Sequence, residues 1–444
     1  MLFDHLQKTH EFLRVLELFE NSSRSIFLTG RAGSGKSTLL DYFRSTTKKN
    51  VVVLAPTGVA ADNVRGQTIH SFFRFRPDIT PDAVKDIRLR RAQREIYKNV
   101  DVIIIDEISM VRADILDCID AFLKLHAGKH DEPFGGIRII MIGDLFQLPP
   151  VVTRTESGIF QTLYQGPYFF HAHVFKDLDC EFLELEMIWR QKEDAFISLL
   201  NAVREDRLSE DDLTAINKRY DPSFEPSGED LYVYLTTTNS LADGINTSRL
   251  AALKGKEYSF PGVITGEFEE RNLPTRHDLR IKFAAQVMLL NNDPLGRWVN
   301  GSLGQITDII HGEQGDAIRV RLSQGASVDV LPYTWEVFRY TYDKEANRLD
   351  SETVGTFTQY PLRLAWAVTI HKAQGKTFSR VIIDVGQGTF SHGQLYVALS
   401  RCTALDGIVL KRPVLRRHVL LDERVGIFLR NMKNMVHKTQ HVLE

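Results

Sequence analysis

Residues 25–38 read SIFLTGRAGSGKST: a short apolar run, a glycine-rich turn and the opening of an amphipathic stretch. The turn, Gly30-Arg31-Ala32-Gly33-Ser34-Gly35-Lys36-Ser37 followed by Thr38, fits GxxxxGK[ST] in the strand, loop and helix context that the pattern requires. Its glycines let backbone N–H groups wrap phosphates, Lys36 can follow the outer phosphate oxygens, and the Ser37 hydroxyl suits Mg²⁺. The chain is thereby restricted to folds in which a parallel strand feeds a helix at a sheet edge. A dinucleotide fold is excluded, because GxGxxG starting at Gly33 would need glycine where Thr38 stands.

A second element supports a nucleotide site over a glycine-rich turn with a solvated lysine. VIIIDE, ending at Asp106 and Glu107, closes a buried strand with two carboxylates. Beside a phosphate-binding loop, Asp106 is placed to hold Mg²⁺ through water and Glu107 to orient and deprotonate an attacking water. In isolation the pair would merely cap the next helix. Adenine is favoured over guanine, since the nearest approach to NKxD, Asn217-Lys218-Arg219-Tyr220, has tyrosine in the aspartate position.

Apolar runs at 25–29, 51–55, 102–105 and 137–142 alternate with turns and amphipathic stretches, the rhythm of a parallel sheet with crossover helices. A second set, EFLEL at 181–185, YVYLTTTN at 232–239, VMLL at 287–290 and VIIDV at 381–385, predicts a second α/β domain. Between about 290 and 360 the texture changes to Gly, Asn and Asp turns between short β-prone segments, predicting a small all-β insertion. At 444 residues the chain has room for both domains. No internal repeat is apparent.

Charge locates partners only locally, because 55 Lys+Arg against 57 Asp+Glu leave a net charge of -2. Residues 65–98 are the exception, with nine Lys/Arg against four acids. Cys118, Cys180 and Cys402 lie far apart without CxxC spacing, which fits a reducing compartment. HAH at 171–173 lacks a third ligand nearby, so no metal beyond Mg²⁺ is expected. Charges at Asp4, Glu11, Arg14, Glu17 and Glu20 interrupt any signal-like apolar stretch, and no run of eighteen apolar residues occurs, so a cytoplasmic or nucleoid-associated protein without membrane partners is expected.

The remaining motifs resemble superfamily-one DNA helicases, and specifically the Pif-one family. LAPTGVAADNV at 54–64, GQTIHSFF at 66–73, IIIDEISM at 103–110, PFGG at 133–136, GDLFQLPPV at 143–151, WRQ at 189–191, TIHKAQGKT at 369–377 and YVALSRC at 396–402 stand in the family's order. The segment from Asp114 to Gly136, ending in PFGG ahead of GDLFQLPP, resembles the stretch that separates this family from the RecD and Dda types. The resemblance implies an α/β fold of two RecA-like P-loop NTPase domains, 1–180 and 181–444. The first would carry a small wedge insertion at 72–98 and the second a small barrel-like β insertion near 290–360. It implies ATP and Mg²⁺ as cofactors, ATP in the cleft between the domains, and single-stranded DNA and forks as partners of a monomer or DNA-induced dimer. Gln147, beside Asp144, matches the γ-phosphate sensor, Arg190 and Arg401 the arginines that complete the ATP site, and Gly375 with Gln374 the loop tied to closure. Gln7 is either the adenine-reading glutamine or a surface residue. Transition-state physics supports the arginines independently, since a guanidinium on the transferring phosphoryl contributes on the order of 10³ to 10⁵ in rate.

For the DNA track, Pro56, Thr57, Gly58, Thr68, His70 and Ser71 offer phosphate donors and close approach, and Phe72 is either a stacking surface or core. Thr236, Thr237, Thr238, Asn239, His371 and Lys372 are the counterparts in the second domain. The basic run either meets duplex DNA or is a solvated face. The implied activity is ATP-dependent, 5′-to-3′ DNA unwinding in replication, repair, recombination and telomere maintenance, with quadruplexes and RNA–DNA hybrids open as substrates. The alternative is a DNA-stimulated NTPase, a RecD- or Dda-like motor or a binding switch, that does not unwind.

Overall fold

The computed structural model describes residues 9–270, 273–312, 315–384 and 391–441. They form two compact units. The first takes the described residues up to Trp189, Phe338–Glu352 and those from Asp422 onward; the second takes Arg190–Val337 and Thr353–Leu421. The expected limit near 180 therefore moves to Trp189, and two later segments return to the first unit.

The first unit is built on a six-stranded sheet: β1 (Ser25–Gly30), β2 (Val51–Ala55), β3 (Gln67–Thr68), β4 (Val102–Ile105), β5 (Arg138–Ile142) and β6 (Cys180–Leu185), in the order β3-β2-β4-β5-β1-β6. All neighbours are parallel. The inner strands read as unbroken apolar runs because both faces are covered: Ile26, Phe27, Leu28, Ile103, Ile104, Ile139 and Ile140 are fully buried. α1 (His10–Asn21) starts where the Thr9 hydroxyl accepts the Phe12 N–H, and it buries Val15 and Phe19 one turn apart. Phe19 meets Phe43 of α2 (Lys36–Thr46) edge to face at 5.3 Å. Each such buried side chain contributes roughly 1.5–3 kcal/mol. EFLEL, expected in the second domain, is β6 and pairs with β1 along its whole length, from Ser25 opposite Cys180 to Gly30 opposite Leu185.

The second unit contains a parallel sheet with Ala367–Thr369, Val233–Thr236, Val381–Ile383 and Ile408–Leu410 side by side. Ala367–Thr369 and Ile408–Leu410 are three-residue strands, too short for an apolar-run reading. VMLL departs from expectation, since Gln286–Leu289 pairs antiparallel with both Leu303–Ile310 and Leu362–Leu364. It belongs to a five-stranded antiparallel sheet around Val287, Leu289, Ile306, Ile318, Val320 and Leu362. Antiparallel strands begin at Tyr258, ahead of the expected start near 290. The far end of the hairpin formed by Tyr333–Asp343 and Arg348–Gln359 counts with the first unit, where the Val53 N–H donates to Tyr340 Oη at 3.3 Å and the Leu349 N–H to Asn50 Oδ1 at 2.9 Å.

Within 72–98, a turn of helix at Pro81–Asp86 and the helix Arg91–Lys98 anchor themselves through Val84, Ile96 and Tyr97. Arg88, Arg90, Arg91 and Arg94 are exposed. No helix among the described residues is long and apolar enough to cross a membrane.

Candidate functional site

Three loops meet at the carboxyl ends of adjacent strands. β1, β5 and β4 are neighbours and parallel, so the turns that follow them leave the same edge of the sheet. After β1 the chain runs Gly30 to Ser37. Gly35 has φ +90°, a conformation that a side chain would strain, and it opens α2 directly at Lys36. The Lys36 ammonium folds over the loop, donating to the Gly30 carbonyl at 2.7 Å and the Arg31 carbonyl at 3.0 Å. Ala32 and Ser34 are buried, Gly33 is half-buried, and Ser37 and Thr38 are exposed on the first turn of the helix. The Trp189 N–H donates to the Gly33 carbonyl at 2.9 Å, closing the loop from behind.

After β4 come Asp106 and Glu107. Asp106 is buried, and its N–H is held by the Leu54 carbonyl at 2.8 Å. Burial raises its pKa, and the neighbouring Glu107 raises it further. Glu107 sits at φ +50°, a left-handed conformation costing about 1–3 kcal/mol for a residue with a side chain. The turn Ile108–Met110, where the Met110 N–H donates to the Glu107 carbonyl at 3.0 Å, holds it there.

After β5, Gly143 lies against that turn: a Cβ on it would stand 3.0 Å from the Ile108 nitrogen. The next residue, Asp144, is fully buried and accepts from the Phe146 N–H at 3.1 Å and from Gln147 Nε2 at 3.2 Å. Gln147 is thus oriented by a carboxylate and buried beside the acid pair's strand edge. An ammonium, two carboxylates, a hydroxyl and an oriented amide on one edge are the groups that bind a metal-bound triphosphate and activate water against it.

In the second unit the arginines gather on Ser400. Arg190, half-buried, donates from Nη1 to the Ser400 carbonyl at 3.3 Å, and burial lowers its pKa. Arg401 is 1% exposed and donates to the Val397 carbonyl at 3.0 Å, the Ser400 hydroxyl at 2.9 Å, and the Ala373 and Lys376 carbonyls at 3.5 and 3.4 Å. Those last two carbonyls bracket Gln374, which is buried, and Gly375, which is exposed at φ +78°.

The candidate DNA residues fall into matching positions. Thr57, Thr68 and Thr238 each cap a helix that follows a parallel strand, their hydroxyls accepting from the Ala60, Ser71 and Leu241 N–H groups at 3.2, 3.2 and 3.3 Å. Accepting leaves each hydroxyl proton free to donate outward. Ser71, Asn239, Thr57 and Thr238 are exposed; Pro56, Gly58, Thr68, His70, Thr237, His371 and Lys372 are half-buried. Burial lowers the pKa of both His371 and Lys372. Two candidates sit elsewhere. Thr236 is fully buried and its hydroxyl donates to the Thr238 carbonyl at 3.2 Å, so it shapes the loop from beneath. Phe72 is 6% exposed with its ring packed among Phe73, Tyr97 and Tyr340, so it is core and offers no face for a base. Gln7 lies outside the described residues.

A family model described as PIF1-like helicase matches residues 7–213, and one described as UvrD-like helicase C-terminal domain matches residues 364–405. The ATP-dependent DNA helicase Pif1 of Bdellovibrio bacteriovorus is 33% identical over 93% of this chain and 90% of its own length. The structure of Bacteroides sp. Pif1 with ADP-AlF4 superposes with a TM-score of 0.88 at 38% identity, covering 97% of this chain and 98% of that one. Bacteroides Pif1 bound to single-stranded DNA matches with a TM-score of 0.70 at 38% identity over 97% of this chain and 98% of that one.

The chain belongs to the PIF1-like helicases. For a PIF1-like helicase its site contains residues that motif reading passed over. Gln191 is 3% exposed, and its amide donates to the Ser400 and Cys402 carbonyls at 3.1 and 3.0 Å, fixing the arginine loop. Lys376, 7% exposed, donates to Asn300 Oδ1 at 2.6 Å, and burial pulls its pKa down to about 8. Thr369 caps the helix Ile370–Ala373, its hydroxyl accepting the Lys372 N–H at 3.3 Å. A signal for Thr369 exists: Thr-Ile-His occurs at 68–70 and again at 369–371, each time at a strand end.

Proposed function

We propose that this chain is an ATP-dependent DNA helicase that moves 5′-to-3′ along single-stranded DNA and separates the duplex at forks. The observation that carries the reading is the meeting of Lys36, Asp106, Glu107, Asp144 and Gln147 at the ends of three adjacent parallel strands. Lys36 follows the phosphates, with Gly30, Ala32, Gly33, Ser34, Gly35 and Thr38 shaping their cradle. Glu107 accepts the proton of the attacking water, and Gln147 reports the γ-phosphate. Arg190 and Arg401 stabilise the charge that develops on the transferring phosphoryl, and Gly375 gives their loop its turn.

The Ser37 hydroxyl and the Asp106 carboxylate are hard oxygen donors and fit Mg²⁺, which supplies charge neutralisation when bound. The first unit serves as the motor's ATPase domain, with 72–98 facing the duplex and the antiparallel strands of the second unit forming an accessory insertion. Single-stranded DNA and forks are the partners, the working form is a monomer or a DNA-induced dimer, and the compartment is cytoplasm or nucleoid. Exposed hydroxyls, helix-capping threonines and the pair His371 and Lys372 supply sequence-independent phosphate contacts, as suits a motor that must step over every base.

Two measurements test this reading together. ATP turnover should rise with added oligonucleotide, and a fork with a 5′ single-stranded tail should be unwound while the same duplex with only a 3′ tail is not. DNA-stimulated turnover without strand separation would leave a binding switch instead.

A further inference from the structure

Lys376 is a charged side chain in a place that favours an apolar one. Among the described residues its buried ammonium has a single hydrogen-bond partner, Asn300 Oδ1 at 2.6 Å, and no ion pair. Burial, and then the positive charge of Arg363, lower its pKa. A methionine of similar length would fill the same space without that desolvation. The lysine is therefore explained by what it holds, and it holds two turns together. The first is its own: the Lys376 N–H donates to the Ala373 carbonyl at 3.0 Å, with Gly375 between them at φ +78°. The carbonyls at both ends of that turn accept from Arg401 Nη1, and the Arg401 carbonyl accepts the Phe378 N–H at 2.9 Å. The second is the loop 290–302, which joins Gln286–Leu289 to Leu303–Ile310 in the antiparallel sheet. That loop is braced from within. The Asp293 carboxylate accepts the Leu295 and Arg297 N–H groups at 3.1 Å and the Arg297 guanidinium at 2.7 and 2.9 Å. The Trp298 indole donates to Asn291 Oδ1 at 3.0 Å, and the Asn300 N–H to Asn292 Oδ1 at 2.8 Å. Gly301, at φ +99°, brings the loop's backbone against the Lys376 stem, where an added Cβ would stand 3.5 Å from Lys376 Cβ.

We propose that Lys376 is a positioning residue for Arg401: by holding Asn300, it ties the antiparallel sheet's loop 290–302 to the turn from which the Arg401 guanidinium hangs. Asn300, Lys376 and Arg401 all belong to the second unit. The inference rests on the reading of Arg401 as an ATP-site arginine and adds the means by which the accessory strands set its place. A charged donor on a neutral acceptor away from water is a strong hydrogen bond, so a braced loop at one end and a two-carbonyl cradle at the other move as one piece. Without that bond the turn loses its only side-chain tether to the loop, and the guanidinium loses its fixed aim. A transition-state contact is sensitive to such a loss, because a shift of about 1 Å in a group acting on developing charge costs up to about 10²-fold in rate.

The test is steady-state ATP turnover at saturating oligothymidylate for the full chain, Lys376→Met, Asn300→Ala and the double variant. Lys376→Met should lower kcat about tenfold, while the KM for ATP and the affinity for the oligonucleotide each stay within about twofold. Asn300→Ala should do the same. The double variant should also fall by about tenfold rather than about a hundredfold, since both changes break one hydrogen bond. An unchanged kcat in Lys376→Met, or losses that multiply in the double variant, overturns the inference. So does a loss that comes with equally weakened oligonucleotide binding, which would make Lys376 a contact to the strand. Should Lys376→Met fail to fold, the half-buried Asn300 carries the test alone, and an unchanged kcat in Asn300→Ala overturns the inference. Arg401→Ala is measured beside them: if it keeps normal turnover, the reading of Arg401 itself fails, which is a separate outcome.

Discussion

The two units finish pairs of parallel strands alike and then place different chemistry beside them. In the first, the neighbours β2 and β3 lead to helices capped by Thr57 and Thr68; in the second, the neighbouring strands Val233–Thr236 and Ala367–Thr369 lead to helices capped by Thr238 and Thr369. Beyond these caps the likeness ends. The first unit carries a lysine in a glycine loop, two adjacent carboxylates and a glutamine oriented by Asp144, whereas the second carries arginines pinned to Ser400. On the proposed reading, hydroxyls and N–H groups at strand ends serve to grip a strand in both sheets, with His371 and Lys372 added in the second. Hydrolysis needs opposed charges on one edge, and among the described residues these lie at the ends of β1, β4 and β5 in the first sheet.

The largest effect should come from breaking that asymmetry at its centre. Lys36→Ala should reduce DNA-stimulated ATP turnover to background, because it removes the cation that tracks phosphate charge into the transition state. Its hydrogen bonds to Gly30, Arg31 and Ser34 are local, so the melting temperature should change little. Near-normal turnover in folded protein would reject the loop as the nucleotide site. Glu107→Gln should retain nucleotide binding while turnover falls by about 10²-fold or more, since the amide keeps the shape but cannot accept a proton. Loss of nucleotide binding equal to that of Lys36→Ala would instead mark Glu107 as a structural turn residue.

The arginines sharpen the comparison from the other side. Arg190→Ala and Arg401→Ala should each lower turnover by roughly 10³-fold while ATP affinity changes far less, as expected of groups acting on developing charge. They should differ in stability. Arg401 serves three carbonyls and a hydroxyl in a fully buried position, so its removal strands acceptors at about 1–3 kcal/mol. Arg190 is half-buried, so its loss should cost the fold less. Thermal melts alongside saturation kinetics read both quantities, and a proportionate loss of ATP binding with intact turnover would remove the transition-state role.

How far these features were legible depends on whether they are local. The Gly30–Ser37 loop, Asp106-Glu107 and Asp144 to Gln147 are contiguous motifs at strand ends, and one-dimensional spacing suffices to find them. Strand partners are not local. EFLEL and VMLL are both short apolar runs, yet one extends a parallel sheet and the other sits inside an antiparallel one, because pairing is decided by residues far away in sequence. Phe72 stays open between stacking surface and core in the sequence for the same reason: exposure of an aromatic ring is set by Tyr97 and Tyr340, both distant in the chain, and they make it core. The Thr-Ile-His pair is too short to mark a repeat by itself, and it gains meaning only from the helix caps that Thr68 and Thr369 form at strand ends.

A smaller effect belongs to the basic run. Arg88, Arg90 and Arg91 are exposed and lie outside both the helix caps proposed to grip phosphates and the proposed ATP loops. Replacing all three with glutamine should slow unwinding of forks by several-fold while leaving ATPase driven by single strands nearly intact. The salt slope of fork binding should fall by about one unit for each phosphate that the variant no longer neutralises. Normal unwinding with an unchanged slope would make the run a solvated face.

The smallest effects test whether the two sheets grip as equals. Thr68→Ala and Thr369→Ala each remove a cap, worth about 1 kcal/mol of stability, and with it one hydroxyl that can donate to a phosphate. Thr→Ser at either position keeps both the cap and the donor, so it separates the role of the hydroxyl from that of the methyl group. A neutral hydrogen bond to phosphate should be worth about 1 kcal/mol, or roughly fivefold in single-strand affinity, and should leave the salt slope unchanged, because no charge is removed. If the two threonines hold different phosphates, the losses should add in the double variant to within about 0.5 kcal/mol. A double variant no weaker than either single one would mean that the strand is held by one sheet at a time, and the likeness between the two units would then be one of fold alone.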